Sequence, residues 1–199
     1  MKKNVKRQLG FSLLETMIVI GIMCVIAGIA VVQSFGSMEA YKANSAMDIV
    51  VGQLRVAREV AITQRRNVQI TFNQATIPHS LTYQQLPAPG STEQPGVAVT
   101  IPLPTVTQFV AETGVPNTPM NFPICSTNPI CIGNVGGGPA LMQFTSTGQF
   151  TDGTGITLLN GNIFLGVPGM PGTARAVTIM GGTGRVRQYK YRGSNVWIQ

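Results

Sequence analysis

The chain has 199 residues, of which 14 are basic, 7 acidic and one a histidine. Seven scattered carboxylates and a lone His79 beside Pro78 offer no acid/base pair, no nucleophile arrangement and no four-ligand metal set, so enzyme, cofactor and metal readings are set aside first. The formal charge of +7 is unevenly placed: four basic residues sit in Met1–Gly10, leaving 10 against 7 acidic in the remainder.

That basic leader, with Lys2, Lys3, Lys6 and Arg7, is followed by Phe11–Val32, 22 residues carrying a single charge, Glu15. At ~1.5 Å per residue a helix here reaches roughly 33 Å, the depth of a bilayer core. Basic residues before an apolar span hold that end in the cytoplasm, which sends everything after Val32 to the far side. A carboxylate in hydrocarbon costs about 2.5–3.5 kcal/mol on insertion scales, so Glu15 needs a partner, and no basic residue of the span can supply it. A cut between Gly10 and Phe11 would create an ammonium group four residues away.

The string KRQLG-FSLLETMIVIGIM resembles the leader and N-terminal helix of type IV prepilins and type II secretion pseudopilins. The resemblance implies cleavage after Gly10 by a prepilin peptidase, N-methylation of Phe11, and an assembly role for Glu15. An ordinary signal peptide would leave Glu15 without purpose. Within the span, Gly21, Cys24 and Gly28 form a small-residue face suited to close helix contact, unless the glycines are there simply because such helices tolerate them. Cys24 reads as a small apolar filler.

After Ser37, residues Ala40, Ala43, Met47, Val50, Leu54, Ala57 and Ala61 step by three and four, one face of an α-helix. The two stretches predict one helix from about Ser12 to Arg66, with Arg55, Arg58, Arg65 and Arg66 off the stripe, favourably placed at the negative pole of the helix dipole. From Asn67 the period becomes two: Val68, Ile70 and Phe72 predict a strand, Thr76–His79 breaks it, and Leu81–Leu86 returns. Further β-branched runs are Val97–Ile101, Thr105–Val110, Leu141–Thr145, Ile156–Leu159, Ile163–Val167, Ala176–Met180 and Arg185–Tyr191. Leu159–Asn162 and Met180–Gly184 read as hairpin turns, since Gly and Asn supply positive φ.

Ten of the 13 prolines lie between Pro87 and Pro139, which predicts loops with at most edge strands there. The same stretch holds Cys125 and Cys131. Outside the cytoplasm a disulfide between them is the leading reading and free thiols the other.

No Lys or Arg occurs between Asn67 and Thr173, whereas Arg175, Arg185, Arg187, Lys190 and Arg192 crowd the C-terminus with no acid after Asp152. Phe144-Thr-Ser-Thr-Gly148 and Gly184-Arg-Val-Arg187 resemble the GspH/FimT branch of pseudopilins and minor pilins. Some FimT-like members bind DNA, a role that the resemblance transfers to Gly184, Arg185 and Arg187. By strand alternation Arg185, Arg187, Tyr189 and Tyr191 share one face, with Lys190 and Arg192 flanking, a set able to meet phosphates and stack bases. The competing reading is a charged edge strand that resists aggregation, with a tyrosine partly in the core.

The sequence thus predicts an α+β, pilin-like fold: a long N-terminal helix, transmembrane then amphipathic, packed on an antiparallel β-sheet domain. The expected divisions are a leader (1–10), an assembly helix (11–33), its amphipathic half (34–66) and a periplasmic β-rich domain (67–199) with a Pro-rich loop region (87–139). The expected partners are prepilin peptidase, other pilins or pseudopilins, inner-membrane lipid and, on the alternative reading, DNA. The protein is expected to be single-pass in the inner membrane, in a type II secretion pseudopilus or a type IV pilus.

Overall fold

The structure is a computed structural model that describes residues 12–88, 90–116, 128–133, 135–136, 141–194 and 196–199. Its one long helix, α1, covers Leu13–Gln64. Residues up to Met38 and from Glu39 onward belong to two separate compact units. The first is apolar helix whose described side chains all face outward, with Leu13–Val31 long and apolar enough to cross a membrane at a mean hydropathy of 2.4.

In the second unit the stepped stripe of α1 is the floor of the core. Ala43, Met47, Val50, Leu54, Ala57 and Ala61 are all fully buried, joined by Ala46 and Val51, which the three-four stepping passes over. Against this face pack two antiparallel sheets. The first has the order β3-β2-β1-β6-β7, from β1 (Val68–Asn73), β2 (Ser80–Gln85), β3 (Val99–Pro102), β6 (Met142–Phe144) and β7 (Phe150–Asp152). The second has the order β11-β10-β9-β8-β4-β5. It is built from β4 (Ile130–Ile132), β5 (Val135–Gly136), β8 (Gly161–Leu165), β9 (Arg175–Met180), β10 (Arg185–Tyr191) and β11 (Trp197–Ile198). Ile70, Leu81 and Phe144 from one sheet and Ile132, Ile163 and Ile179 from the other enter a single core with Met47 and Leu54. The α+β expectation of a helix laid on antiparallel sheet therefore holds.

Three sequence expectations are corrected. Thr105–Val110 and Ile156–Leu159 are not strands; each contributes one isolated bridge, Gln108 to Gly166 and Leu158 to Thr151. The first belongs instead to a strap over Leu103–Val110, tied to His79 just ahead of β2: the Leu103 N–H donates to the His79 carbonyl (2.8 Å) and the Phe109 N–H to His79 Nδ1 (2.9 Å). Leu159–Asn162 is not a hairpin turn, since β8 already begins at Gly161. That glycine serves close approach: an added Cβ would stand 2.9 Å from the Cys131 carbonyl oxygen. The Pro-rich region also holds more than edge strands. β4 is fully buried and paired on both sides, with β8 and β5, because its three residues Ile130, Cys131 and Ile132 follow Pro129 without containing a proline.

Met180–Gly184, by contrast, is the turn between β9 and β10, whose six-residue register runs from Arg185 opposite Met180 to Lys190 opposite Arg175. The proposed Cys125–Cys131 bridge involves a residue outside those described. Cys131 itself is buried on β4.

Candidate functional site

At the start of α1 the Ser12 hydroxyl accepts a hydrogen bond from the Glu15 N–H (3.2 Å). Ser12 is thus an N-cap and Glu15 its third helical residue, the S-x-x-E pattern of a capping box. The spacing stands in the sequence, yet the reading there centred on the charge of Glu15 and missed the cap. A carboxylate in this first turn also lies at the positive pole of the helix dipole. Gly10 and Phe11 lie outside the described residues. Cys24 is an exposed free thiol, and nothing lies within 4 Å of a Cβ built on Gly21 or Gly28, so the small-residue face is open.

The basic C-terminal strand is not one patch. Val186 of β10 points into the helix-facing core, which puts Gln188 and Lys190 on that side by alternation, and Arg185, Arg187, Tyr189 and Tyr191 on the other. Tyr189 is buried in a satellite cluster with Phe164, Ala176 and the ring of Trp197, so it offers no open face for a base. Trp197 is held there by donating from Nε1 to the Pro116 carbonyl (2.9 Å), and its ring lies 5.5 Å from that of Tyr191. Arg192 is exposed beyond the other end of the strand, roughly 20 Å from Arg185 at ~3.3 Å per residue. β11 covers only Lys190 and Tyr191, which leaves the Arg185 end an open edge among the described residues. Arg175, another member of the cationic crowd, is buried: it donates to Asn44 Oδ1 of α1 (2.8 Å) and to the Gly172 and Ala174 carbonyls. Burial lowers its pKa from the ordinary guanidinium value.

What the structure does bring together lies at the Arg185 end. There the β9–β10 turn meets α1 around a cleft of about 550 Å³ lined by Arg55, Arg58, Glu59, Thr183 and Arg185. Two glycines make the meeting possible. Gly148, at φ +81, turns the chain between β6 and β7; Gly184, at φ +61, enters β10. Side-chain-bearing residues rarely take either conformation. A Cβ on Gly184 would overlap the Gly148 carbonyl oxygen and lie 2.8 Å from Arg58 Nε. Arg58 Nε in turn donates to that same carbonyl (3.1 Å). The two motifs read separately in the sequence, Phe144–Gly148 and Gly184–Arg187, therefore touch, and a helix arginine fastens them.

By sequence alone Arg55 and Arg58 read as favourable charges at the helix dipole. Their spacing of three residues puts them on neighbouring positions of one helix face, but only docking against β10 joins them to Arg185. Ion pairs among the described residues are Lys42 with Glu39 and Arg66 with Glu93, so none of these three arginines has a carboxylate partner there. Arg66, expected at the dipole, serves that surface pair instead.

Comparison with known proteins bears on the N-terminus. Residues 5–31 match the family described as the prokaryotic N-terminal methylation motif. The matched residues take in the whole of the apolar segment Leu13–Val31. Among solved structures the chain resembles the minor pseudopilin EpsH from the type 2 secretion system of Vibrio cholerae, at 14% identity and TM-score 0.46, covering 75% of this chain and 97% of that one. It also resembles the type IV minor pilin FimU of Pseudomonas aeruginosa, at 17% identity and TM-score 0.43, covering 81% and 96%. No curated protein matches the sequence.

Proposed function

We propose that the chain is a minor pilin or pseudopilin of the GspH/FimT branch: a subunit held in the inner membrane by Leu13–Val31, cut after Gly10 by prepilin peptidase, methylated on Phe11 and built into a fibre. The observation that carries this reading is the methylation motif over residues 5–31, which takes in the apolar segment Leu13–Val31, whose one charge is Glu15. In hydrocarbon that carboxylate is stabilised by the amine of a cleaved Phe11 on a neighbouring subunit, which ties assembly to processing. The β-rich unit then lies in the periplasm, where a Cys125–Cys131 disulfide is favoured.

The test uses the full chain expressed with a prepilin peptidase. The mature protein is expected to begin at N-methylated Phe11 by intact mass, and Glu15→Ala to be inserted and cut normally but to enter fibres poorly. A mature protein that keeps Met1–Gly10, or a Glu15→Ala variant incorporated like the parent, counts against it. The choice between a secretion pseudopilus and a retractable pilus follows from which machine restores incorporation when supplied.

A second reading, DNA contact through Arg185 and Arg187, has in its favour the exposed Arg185, which has no ion-pair partner among the described residues. It loses the ring of Tyr189, and Lys190 and Arg192 fall on another face and at the far end.

A further inference from the structure

The cleft between α1 and the β9–β10 turn belongs to none of the assembly features above. Three guanidinium groups and the Thr183 side chain line it, opposed by one carboxylate, Glu59. Like charges repel, and no described acid pairs with any of the three arginines. Arg58 is anchored through Nε on the Gly148 carbonyl, and the Gly148–Gly184 contact sets the distance between helix and turn, while Arg55 and Arg185 reach the cleft from exposed positions on either side. A cleft lined by three arginines suits an oxyanion, which accepts paired N–H bonds.

The cleft suits one such group, not a chain of them. Among the described residues its lining contains no aromatic ring on which a base could stack, Glu59 opposes a second anionic group alongside the first, and the far basic residue Arg192 is a strand length away. We propose that this cleft is a docking site for a single carboxylate, an Asp or Glu side chain presented by a neighbouring protein subunit. The oxyanion site stands on the geometry alone; that its occupant belongs to a fibre neighbour rests on the subunit reading given above.

The experiment takes the full chain in non-ionic detergent, labelled with ¹⁵N-arginine, and follows the Nε–H signals of Arg55 and Arg185. The probes are acetyl-Ser-Glu-Ser-amide, its Gln counterpart and a short DNA duplex. The Glu peptide is expected to move these signals saturably, the Gln peptide to leave them in place, and Arg185→Gln to weaken the Glu peptide about tenfold. Arg185 is exposed at a strand end, so this variant keeps the fold. Absence of saturation, or equal shifts with the Gln peptide, overturns the site. Saturation by the duplex at lower charge concentration than the Glu peptide assigns the cleft to nucleic acid and overturns the proposal. Arg185→Glu is expected to leave cleavage at Phe11 intact while lowering incorporation into fibres. Unchanged incorporation removes the neighbouring subunit as occupant, whereas failure of cleavage in the parent protein removes the subunit reading and leaves the peptide result standing.

Discussion

Gly184 shows how much can depend on a missing Cβ. Its backbone is left-handed, and the space a methyl group would fill is held by the Gly148 carbonyl and the Arg58 side chain. An alanine there suffers the left-handed penalty of about 1–2 kcal/mol, and the clash adds the cost of moving helix and turn apart. We expect Gly184→Ala to lose about 3 kcal/mol of stability in denaturant titrations. Gly182→Ala, two residues away with no atom closer than 4.0 Å to the added carbon, should stay within about 0.5 kcal/mol of the parent. Equal effects at the two positions would show that crowding at Gly184 is not what matters. The need for glycine at residue 184 was visible as a turn signal in Met180–Gly184, but its collision partner lies 36 residues earlier in the chain and no local pattern names it.

Among the elements, the strap over Leu103–Val110 departs most from its sequence pattern. Thr105, Val106, Thr107 and Val110 have strand-forming side chains, but Pro102 and Pro104 remove ladder donors just before them, and the segment meets the end of β8 only through the Gln108–Gly166 bridge and the Val110 N–H, which donates to the Phe164 carbonyl (3.2 Å). What holds it is His79, buried, stacked on Phe109 with ring centroids 5.7 Å apart, and accepting the Phe109 N–H at Nδ1. Accepting requires a neutral imidazole, and burial lowers the pKa of His79 from 6.5. As pH falls below that value the unfolded chain binds a proton that the folded chain refuses, so stability declines until the folded-state pKa is passed. Unfolding midpoints are expected to drop between pH 7.5 and 5.5, and His79→Asn to flatten that slope. A parent midpoint that does not move across this interval disproves the link. The strap's register was illegible in the sequence because β propensity reports a surface fit and not a hydrogen-bond partner. For the same reason β4, β7 and β11, of two or three residues each, offer too few alternations to stand out. The helix was legible over seven stripe positions because its periodicity is purely local.

In the whole molecule, one core is shared by the helix and both sheets of the second unit, and this sharing explains why the fold could be read while the candidate site could not. Binary patterning announced each partner of the core separately. The cleft depends on the register with which Arg55 and Arg58 are laid against Arg185, a spacing of 127 residues or more along the chain. The proposed Cys125–Cys131 closure is local by comparison, with five residues between its ends, and should stabilise by roughly 2 kcal/mol in the chain-entropy model. Alkylation of the unfolded, unreduced protein is expected to add one label, at Cys24, and three after reduction. Three labels without reductant would mean the pair is open. Arg58 has a mechanical consequence at this scale. The helix that carries it donates to the turn of one sheet, and that turn bears directly on the hairpin of the other. Tension drawn along this part of α1 is therefore shared between the two sheets at this rivet, and a variant lacking it should give way to stretching one sheet at a time.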